Sequence, residues 1–183
     1  MGLSEDLERV ALQERELVLP RLDSQIAWEL GSRLRTLAEE RKLTLVIDVR
    51  RFGQPLFYAA LDGATPDNAE WVRRKSNVVA RFHRSSYGVG MTLKQKNTTL
   101  LERQGLPVAD YAADGGSFPL RVAGAGVVGS VTVSGLPQRS DHELVVEALC
   151  GLLGREYAAL RLAECSAGLL AGCSAGVPAR ACP

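Results

Sequence analysis

The chain has 183 residues, of which 46% are hydrophobic and 23% are charged, and its formal net charge is +1. Acidic and basic residues nearly cancel, which does not favour a nucleic-acid binder, since such proteins usually carry a basic face. No apolar run reaches the roughly 18–20 residues that span a bilayer, and the acidic, helix-patterned N-terminus differs from a secretory signal. We therefore expect a cytoplasmic protein with neither a nucleic-acid nor a membrane partner.

The first half of the chain predicts two helices, a β-hairpin and a third helix. Apolar residues at helical spacing predict helices over residues 4–17 and 24–42. The apolar segments 43–49 and 55–61 flank the short turn RRFGQ, a pattern typical of two antiparallel strands. Residues 66–82 predict the third helix, because the proline at its start favours a first helical turn.

The second half continues with less regular patterns. Residues 85–100 fit a loop or a helix, and residues 98–106 fit a short helix that ends at a glycine. Strands are expected around residues 117–123 and 127–133. Short hairpin connections force neighbouring strands to run antiparallel. The order of elements therefore predicts an α+β fold in which helices flank an antiparallel sheet.

The C-terminal part of the chain divides into a predicted helix and a tail. Residues 140–163 have the pattern of one long amphipathic helix, and Ser140 and Glu143 have the spacing of a capping box at its start. Residues 164–183 are rich in Gly, Ala, Ser and Cys and have no periodic apolar face. We expect one domain over residues 1–163, with helix 4–17 as a candidate peripheral element, and a flexible tail after it.

The segment GAGVVG at 124–129 spells the glycine fingerprint of dinucleotide-binding proteins. That fingerprint must open a helix, so that helical amides meet the pyrophosphate. Here the β-branched, alternating sequence VVGSVTV follows instead, which is typical of a strand. Gly124 and Gly126 are therefore interpreted as residues of a hairpin turn that needs positive φ.

Lys75 is the most informative residue of the third helix. At 100° per residue it falls in one apolar stripe with Trp71, Val78 and Phe82. A buried, unpaired ammonium is very costly, so Lys75 must reach solvent or meet a partner. Two roles remain open: a structural ion pair or hydrogen bond to strand carbonyls, and a pocket lysine that holds an anionic ligand.

The chain has two histidines, and neither belongs to a recognisable catalytic or metal motif. The helical projection places His83 beside the polar face, so we expect it to be exposed. His142 falls in the first turn of the last predicted helix and is interpreted as a surface histidine. Two histidines exclude a His-rich metal centre, and no metal site is predicted.

Three segments together suggest a family. The segments WVRRKSNVVARFHRSS, YAADGGSFPL and GVVGSVTVSGLPQRSDHELVVEAL resemble the haem-degrading, HbpS-like superfamily, which also includes GlcG-like proteins. The chain is most similar to a small branch of that group found in bacteria and fungi. The resemblance covers residues 15–162, and the glycine-rich blocks are its most specific part.

The resemblance implies a profilin-like domain, with an antiparallel sheet flanked by helices. It also implies stable homo-oligomers, either dimers or rings built from dimers. Some relatives bind haem or small molecules, and some act as sensors or accessory proteins. Haem is therefore a candidate cofactor by resemblance, while no ligand or catalytic residue is carried over from the family.

The first functional hypothesis is a ligand-binding or sensing module, with haem or an anionic metabolite as the ligand. Lys75 would meet a carboxylate or phosphate, and the Gly115–Gly116 backbone would approach the ligand closely. The complete predicted pocket consists of Trp71, Lys75, Phe82, Ser85, Ser86, Tyr111, Gly115, Gly116 and Phe118.

Two alternatives belong to other classes. An oligomeric scaffold would present the N-terminal helix or a rim surface to a protein partner, which fits the near-neutral charge. An enzyme that acts on haem or on a small acid would have Lys75, Tyr111 and His142 as its acid–base groups. Because these three residues lie in separate segments and form no known motif, the sequence favours a binding role over catalysis.

Overall fold

A five-stranded sheet organises the fold, and a computed structural model of the chain describes it over residues 2–163. The spatial order of the strands is β1-β4-β5-β2-β3. All neighbouring strands run antiparallel except β1 and β4, which are parallel. The strands are β1 (Val18–Leu19), β2 (Val46–Arg51), β3 (Gln54–Ala60), β4 (Ser117–Val122) and β5 (Gly126–Ser134).

Helices cover both faces of this sheet. Helices α2 and α6 pack against one face, and α3 lies across β4, β5 and β2 on the other. The helices are α1 (Leu3–Glu16), α2 (Ser24–Glu40), α3 (Pro66–Phe82), α4 (Ser86–Gln95), α5 (Leu100–Gln104), α6 (Gln138–Leu153) and α7 (Tyr157–Leu160). Among residues 2–163, no helix combines the length and the apolar character needed to cross a bilayer.

The two faces of the sheet differ in chemistry. The face toward α2 and α6 is apolar, and each of its large side chains contributes about 1.5–3 kcal/mol through burial. Its buried residues include Ile47, Val49, Phe118, Leu120, Val131 and Val133. The face toward α3 is polar: Asp48, Ser117, Ser130, Thr132 and Ser134 are buried, and the Arg50 side chain is 22% exposed. Polar groups under a helix need partners there, and this face positions the candidate site.

The predicted α+β class with helices around the sheet is confirmed, and most elements lie within a few residues of their expected bounds. The hairpin interpretation of the glycine fingerprint is also confirmed. Gly124 and Gly126 have φ of +76° and +78°, at the turn between β4 and β5. These values favour glycine, because a Cβ is strained in the left-handed region.

The structure corrects two expectations and decides one that the sequence left open. The sheet is mixed, because Val18–Leu19 adds a short parallel strand that apolar periodicity does not reveal in two residues. Residues 85–100, which fitted a loop or a helix, include helix α4. The last predicted helix ends at Leu153, because Gly154 adopts φ of +63° and stops it.

The start of that helix also differs from the expectation. Its N-cap is Pro137, three residues before Ser140, so Ser140 and Glu143 form no capping box. At the other end of the chain, helix α1 buries Val10 and Gln13. The predicted tail, residues 164–183, lies outside the described residues.

Candidate functional site

Lys75 carries a buried charge beneath helix α3. Thr65 and Asn68 form a capping box that starts the helix, and Pro66 follows at its first position. The Lys75 ammonium donates to Asp141 Oδ2 over 2.7 Å and lies 3.4 Å from the carbonyl oxygen of Val133. Only 4% of the Lys75 side chain is exposed. Lys75 therefore has the two structural partners considered from the sequence, an ion pair and a strand carbonyl.

Asp141 supplies the opposite charge from the first turn of α6. Its side chain is 1% exposed, and its second oxygen, Oδ1, accepts a hydrogen bond from the Leu136 amide over 3.0 Å. Burial raises the pKa of the Asp141 carboxyl above its ordinary value, while Lys75 opposes that rise. The pair is anchored at both ends, so it fixes α3 to the start of α6.

Two consecutive glycines make room for this pair. A Cβ on Gly116 would lie 2.4 Å from the Val133 carbonyl oxygen and 2.8 Å from Lys75 Nζ, and Gly116 also has φ of +124°. A Cβ on Gly115 would lie 1.9 Å from the Gln138 carbonyl oxygen. Any larger residue at either position would push the start of β4 away from α6 and from the ion pair.

A cleft of about 310 Å³ opens above the ion pair. Helix α3, the loop before β4, the end of β5 and the first turn of α6 form its walls. The lining residues are Asp67, Asn68, Trp71, Lys75, Asp114, Ser134, Gly135, Leu136, Gln138 and Asp141.

Several polar groups of the cleft have no hydrogen-bonding partner among residues 2–163. Ser134 is 4% exposed and its hydroxyl is unpaired. The Asp114 carboxylate is unpaired as well. Asn68 uses its amide oxygen for the Thr65 cap, so its NH₂ group remains available. Among the described residues, the fully buried side-chain polar atom without a partner is His142 Nδ1. The polar groups of the cleft are therefore accessible from the cleft and available to a bound molecule.

Comparison with known proteins identifies the family. A family model described as haem degrading protein HbpS-like matches residues 22–150. The chain belongs to the HbpS-like family. The resemblance inferred from the sequence is thereby confirmed.

Relatives and solved structures agree with this membership. A UPF0303 protein of Burkholderia thailandensis is 63% identical over 164 residues, which cover 90% of this chain and 99% of that protein. The crystal structure of the Ybr137w protein is similar with a TM-score of 0.75 and 27% identity, over 81% of this chain and 87% of that one. A haem complex of PduOC shares the fold, with a TM-score of 0.61 and 15% identity, over 70% of this chain and 93% of that one.

Neighbouring side chains hold the wall of the cleft in this HbpS-like domain. Trp71 donates its indole N–H to Asp67 over 3.1 Å, and the Arg74 guanidinium lies 4.1 Å from the centre of the Trp71 ring. Arg73 and Arg74 also donate to carbonyls of the loop at Ala109 and Val108. These bonds tie the loop that carries Asp114 to α3 and so brace two walls of the cleft against each other.

The structure brings together part of the predicted pocket. Trp71 and Lys75 line the cleft, and Gly115 and Gly116 lie directly behind it. The glycine backbones approach α6 and the ion pair rather than open space.

The other predicted pocket residues have different neighbours. Phe82 and Tyr111 pack against the small apolar cluster around Val78. Ser85 accepts from the Gly88 amide as the N-cap of α4 and donates to Glu14. The hydrophobic stripe of α3 explains why Phe82 was grouped with Lys75, although it lies nearly two turns further along the helix.

The last two predicted pocket residues also lie away from the cleft. Ser86 exchanges hydrogen bonds with the Ser117 backbone. Phe118 is 1% exposed and belongs to the main apolar core. Both therefore lie in the interior around β4, whose first residue follows the two glycines, and neither lines this cleft.

The cleft residues that sequence reasoning missed come from three separated segments. They are Asp67, Asn68, Asp114, Ser134, Gly135, Leu136, Gln138 and Asp141. A buried lysine implies a carboxylate partner, and Asp141 in the first turn of a helix was available for that role. The sequence offers no comparable indication for Ser134, because its position depends on which face of β5 meets α3.

The expectation of a surface His142 is wrong. Its side chain is completely buried, because Gln13 of α1, Tyr87 of α4 and Phe118 of β4 surround it. His142 Nε2 bonds to Gln13 Oε1 over 2.8 Å, and Nδ1 has no partner among the described residues. The Tyr87 and Phe118 rings enclose the imidazole. His83 is exposed, as expected, and stacks on Phe52.

We predict that His142 makes the protein sensitive to acid. Burial, assisted by the Arg139 cation, lowers the pKa of His142 to about 3. The unfolded chain therefore binds a proton near pH 6.5, whereas the native chain binds it only near pH 3, so stability falls as the pH drops through this window. Between pH 7 and pH 5 the contribution of His142 falls by about 2 kcal/mol.

The measurement is urea unfolding at both pH values for the wild type and for His142→Gln. The variant lacks the titrating group, so its stability should fall by about 2 kcal/mol less over the same interval. An equal pH dependence in the two proteins would show that His142 is not kept neutral by the fold.

Proposed function

We propose that this HbpS-like protein is a small-molecule-binding module whose site is the cleft between α3, β5 and the start of α6. The observation that carries the proposal is the unpaired hydroxyl of Ser134, which is 4% exposed and lines the cavity. Ligand pockets characteristically combine a preformed cavity with a few polar groups that fix orientation. Asp114 and Asn68 add an acceptor and a donor to the lining of the same cleft.

The ion pair supports a binding role over acid–base catalysis. Lys75 and Asp141 bond to each other inside the fold, so each side chain already has a structural partner. The other two groups considered for catalysis lie elsewhere, since Tyr111 packs in an apolar cluster and His142 bonds to Gln13. The pair thus forms a rigid floor for a ligand.

Haem does not fit this cleft, although the family description names haem. Haem iron is normally held by His, Cys, Met or Tyr, and no such residue is among those that line the cavity. His83 is exposed against Phe52, and His142 is enclosed by Tyr87 and Phe118. The proposed ligand is therefore a small polar molecule, held by hydrogen bonds.

The proposal predicts that Ser134→Ala weakens ligand binding without unfolding the protein. The purified protein would be screened against a metabolite library by native mass spectrometry, and hits would be measured by calorimetry. One lost hydrogen bond contributes about 0.5–1.5 kcal/mol, so the dissociation constant should rise by roughly three- to tenfold.

Ser24→Ala is the matched control, because Ser24 is exposed at the start of α2, away from the cleft. It should leave the dissociation constant unchanged. A library without hits would contradict the proposal, as would hits that bind Ser134→Ala and wild type equally well.

A second candidate, an oligomeric scaffold, is supported by the edge of the sheet. Strand β3 pairs with β2, and within the described chain no strand pairs with its other side. Its sequence, QPLFYAA, has no charge, whereas natural edge strands are usually protected by charged side chains. Trp28 is 62% exposed and packs against Phe57 of this strand, while Tyr58 is 51% exposed. These features fit a second copy of the chain.

The scaffold candidate predicts a smaller assembly for Tyr58→Lys. A charge on β3 should disrupt pairing with a second copy, and light scattering after size-exclusion chromatography would report the mass. Val108→Lys is the control, since Val108 is 69% exposed on a different part of the surface. The candidate fails if the wild type is a monomer or if Tyr58→Lys retains its mass.

A further inference from the structure

We infer that the cleft takes a small organic ligand with a positively charged group, an ammonium or a guanidinium. The inference rests on the proposed function and adds the chemical class of the ligand. It differs from the sequence-based expectation of an anionic metabolite, because that expectation treated Lys75 as a free cation.

The charges around the cleft determine which sign of charge the ligand is expected to carry. Lys75 is the one cation among the described residues that line it, and Asp141 neutralises that charge at 2.7 Å. Asp67 and Asp114 then remain as two further carboxylates in the lining of the cleft. An anionic ligand would lie close to these two carboxylates, and no unpaired cation among the lining residues would offset the repulsion. Such repulsion costs free energy in a partly enclosed site.

Trp71 adds a surface that favours a cation. Trp71 lines the cleft, and the Arg74 guanidinium occupies one face of its ring at 4.1 Å from the ring centre, so a ligand cation would have to use the opposite face. Aromatic rings attract ammonium and guanidinium groups through the negative charge of their faces. The indole N–H donates to Asp67, which keeps that carboxylate beside the ring.

The arrangement fits an organic cation better than a metal ion. Among residues 2–163, no three side chains of His, Cys, Asp or Glu lie close enough to hold a metal. Ser134 is an independent indication of a ligand, because its nearly buried hydroxyl faces the cleft without a partner. Asp114 and Ser134 can accept from the N–H groups of an ammonium or guanidinium, and Asn68 can donate to an oxygen of the same ligand.

The test compares probes that differ in charge. Agmatine and spermidine supply guanidinium and ammonium groups, their N-acetylated forms have reduced charge, and glutarate and adipate are anions of similar size. Calorimetry would measure the binding of each probe to the full chain. We expect at least one cationic probe to bind, with about tenfold or greater loss on N-acetylation and no binding of the dicarboxylates.

Two aspartate variants distinguish the effect of the Asp114 charge in the cleft from the effect of removing any surface carboxylate. Asp114→Asn should weaken the binding of the cationic probe by about tenfold, because it removes a carboxylate acceptor from the cleft. Asp62→Asn is the control, since Asp62 is exposed and lines a different cavity. It should bind like the wild type.

The outcomes distinguish the inference from the proposed function. The inference is overturned if dicarboxylates or neutral probes bind as well as the cationic ones. If their affinity also falls in Ser134→Ala, the binding function itself is retained. Equal binding of the cationic probe to Asp114→Asn and to wild type would also overturn it. If no probe of any charge binds, the inference is wrong, and the library screen decides the proposed function separately.

Discussion

The ion pair between Lys75 and Asp141 is the constraint on which the site depends. It joins the middle of α3 to the first turn of α6, and the Val133 carbonyl of β5 lies within reach of the same ammonium. Removing two charges from water is costly, and the mutual attraction offsets that cost only when the remaining atoms are also satisfied. The Leu136 amide provides such a bond to Asp141. Helix, strand and loop therefore meet in one fixed geometry.

The polar face of the sheet explains why a charge can lie there. Thr132 faces Ser117 across the strands with their hydroxyl oxygens 2.8 Å apart, and Asp48 is fully buried in a two-bonded pair with Arg50. A helix above such a face cannot be uniformly apolar. The opposite face supplies the hydrophobic free energy of folding, which leaves this face available for a site. The unpaired hydroxyl of Ser134 continues the same polar row into the cleft.

The sequence predicted the features that depend on local patterns. The start of α3 at Pro66 and the glycine hairpin both follow from residues close together in the chain, and both are present. Lys75 could be identified as a residue that needs a partner, because a cation in an apolar stripe is costly wherever the helix packs. The two-residue strand β1 could not be predicted, since two residues have no periodicity. The exposure of His142 could not be predicted, because Gln13, Tyr87 and Phe118 cover it from three distant segments of the chain.

The most direct test of this account is a double-mutant cycle on the ion pair, measured by urea unfolding at pH 7. Lys75→Met and Asp141→Asn should each lower the free energy of unfolding by about 3–5 kcal/mol, because each leaves a buried charge without its partner. The double variant should be little worse than either single variant, with a coupling energy of about 2 kcal/mol or more. Strictly additive losses would show that the two residues do not depend on each other. They would contradict the claim that this pair fixes the site.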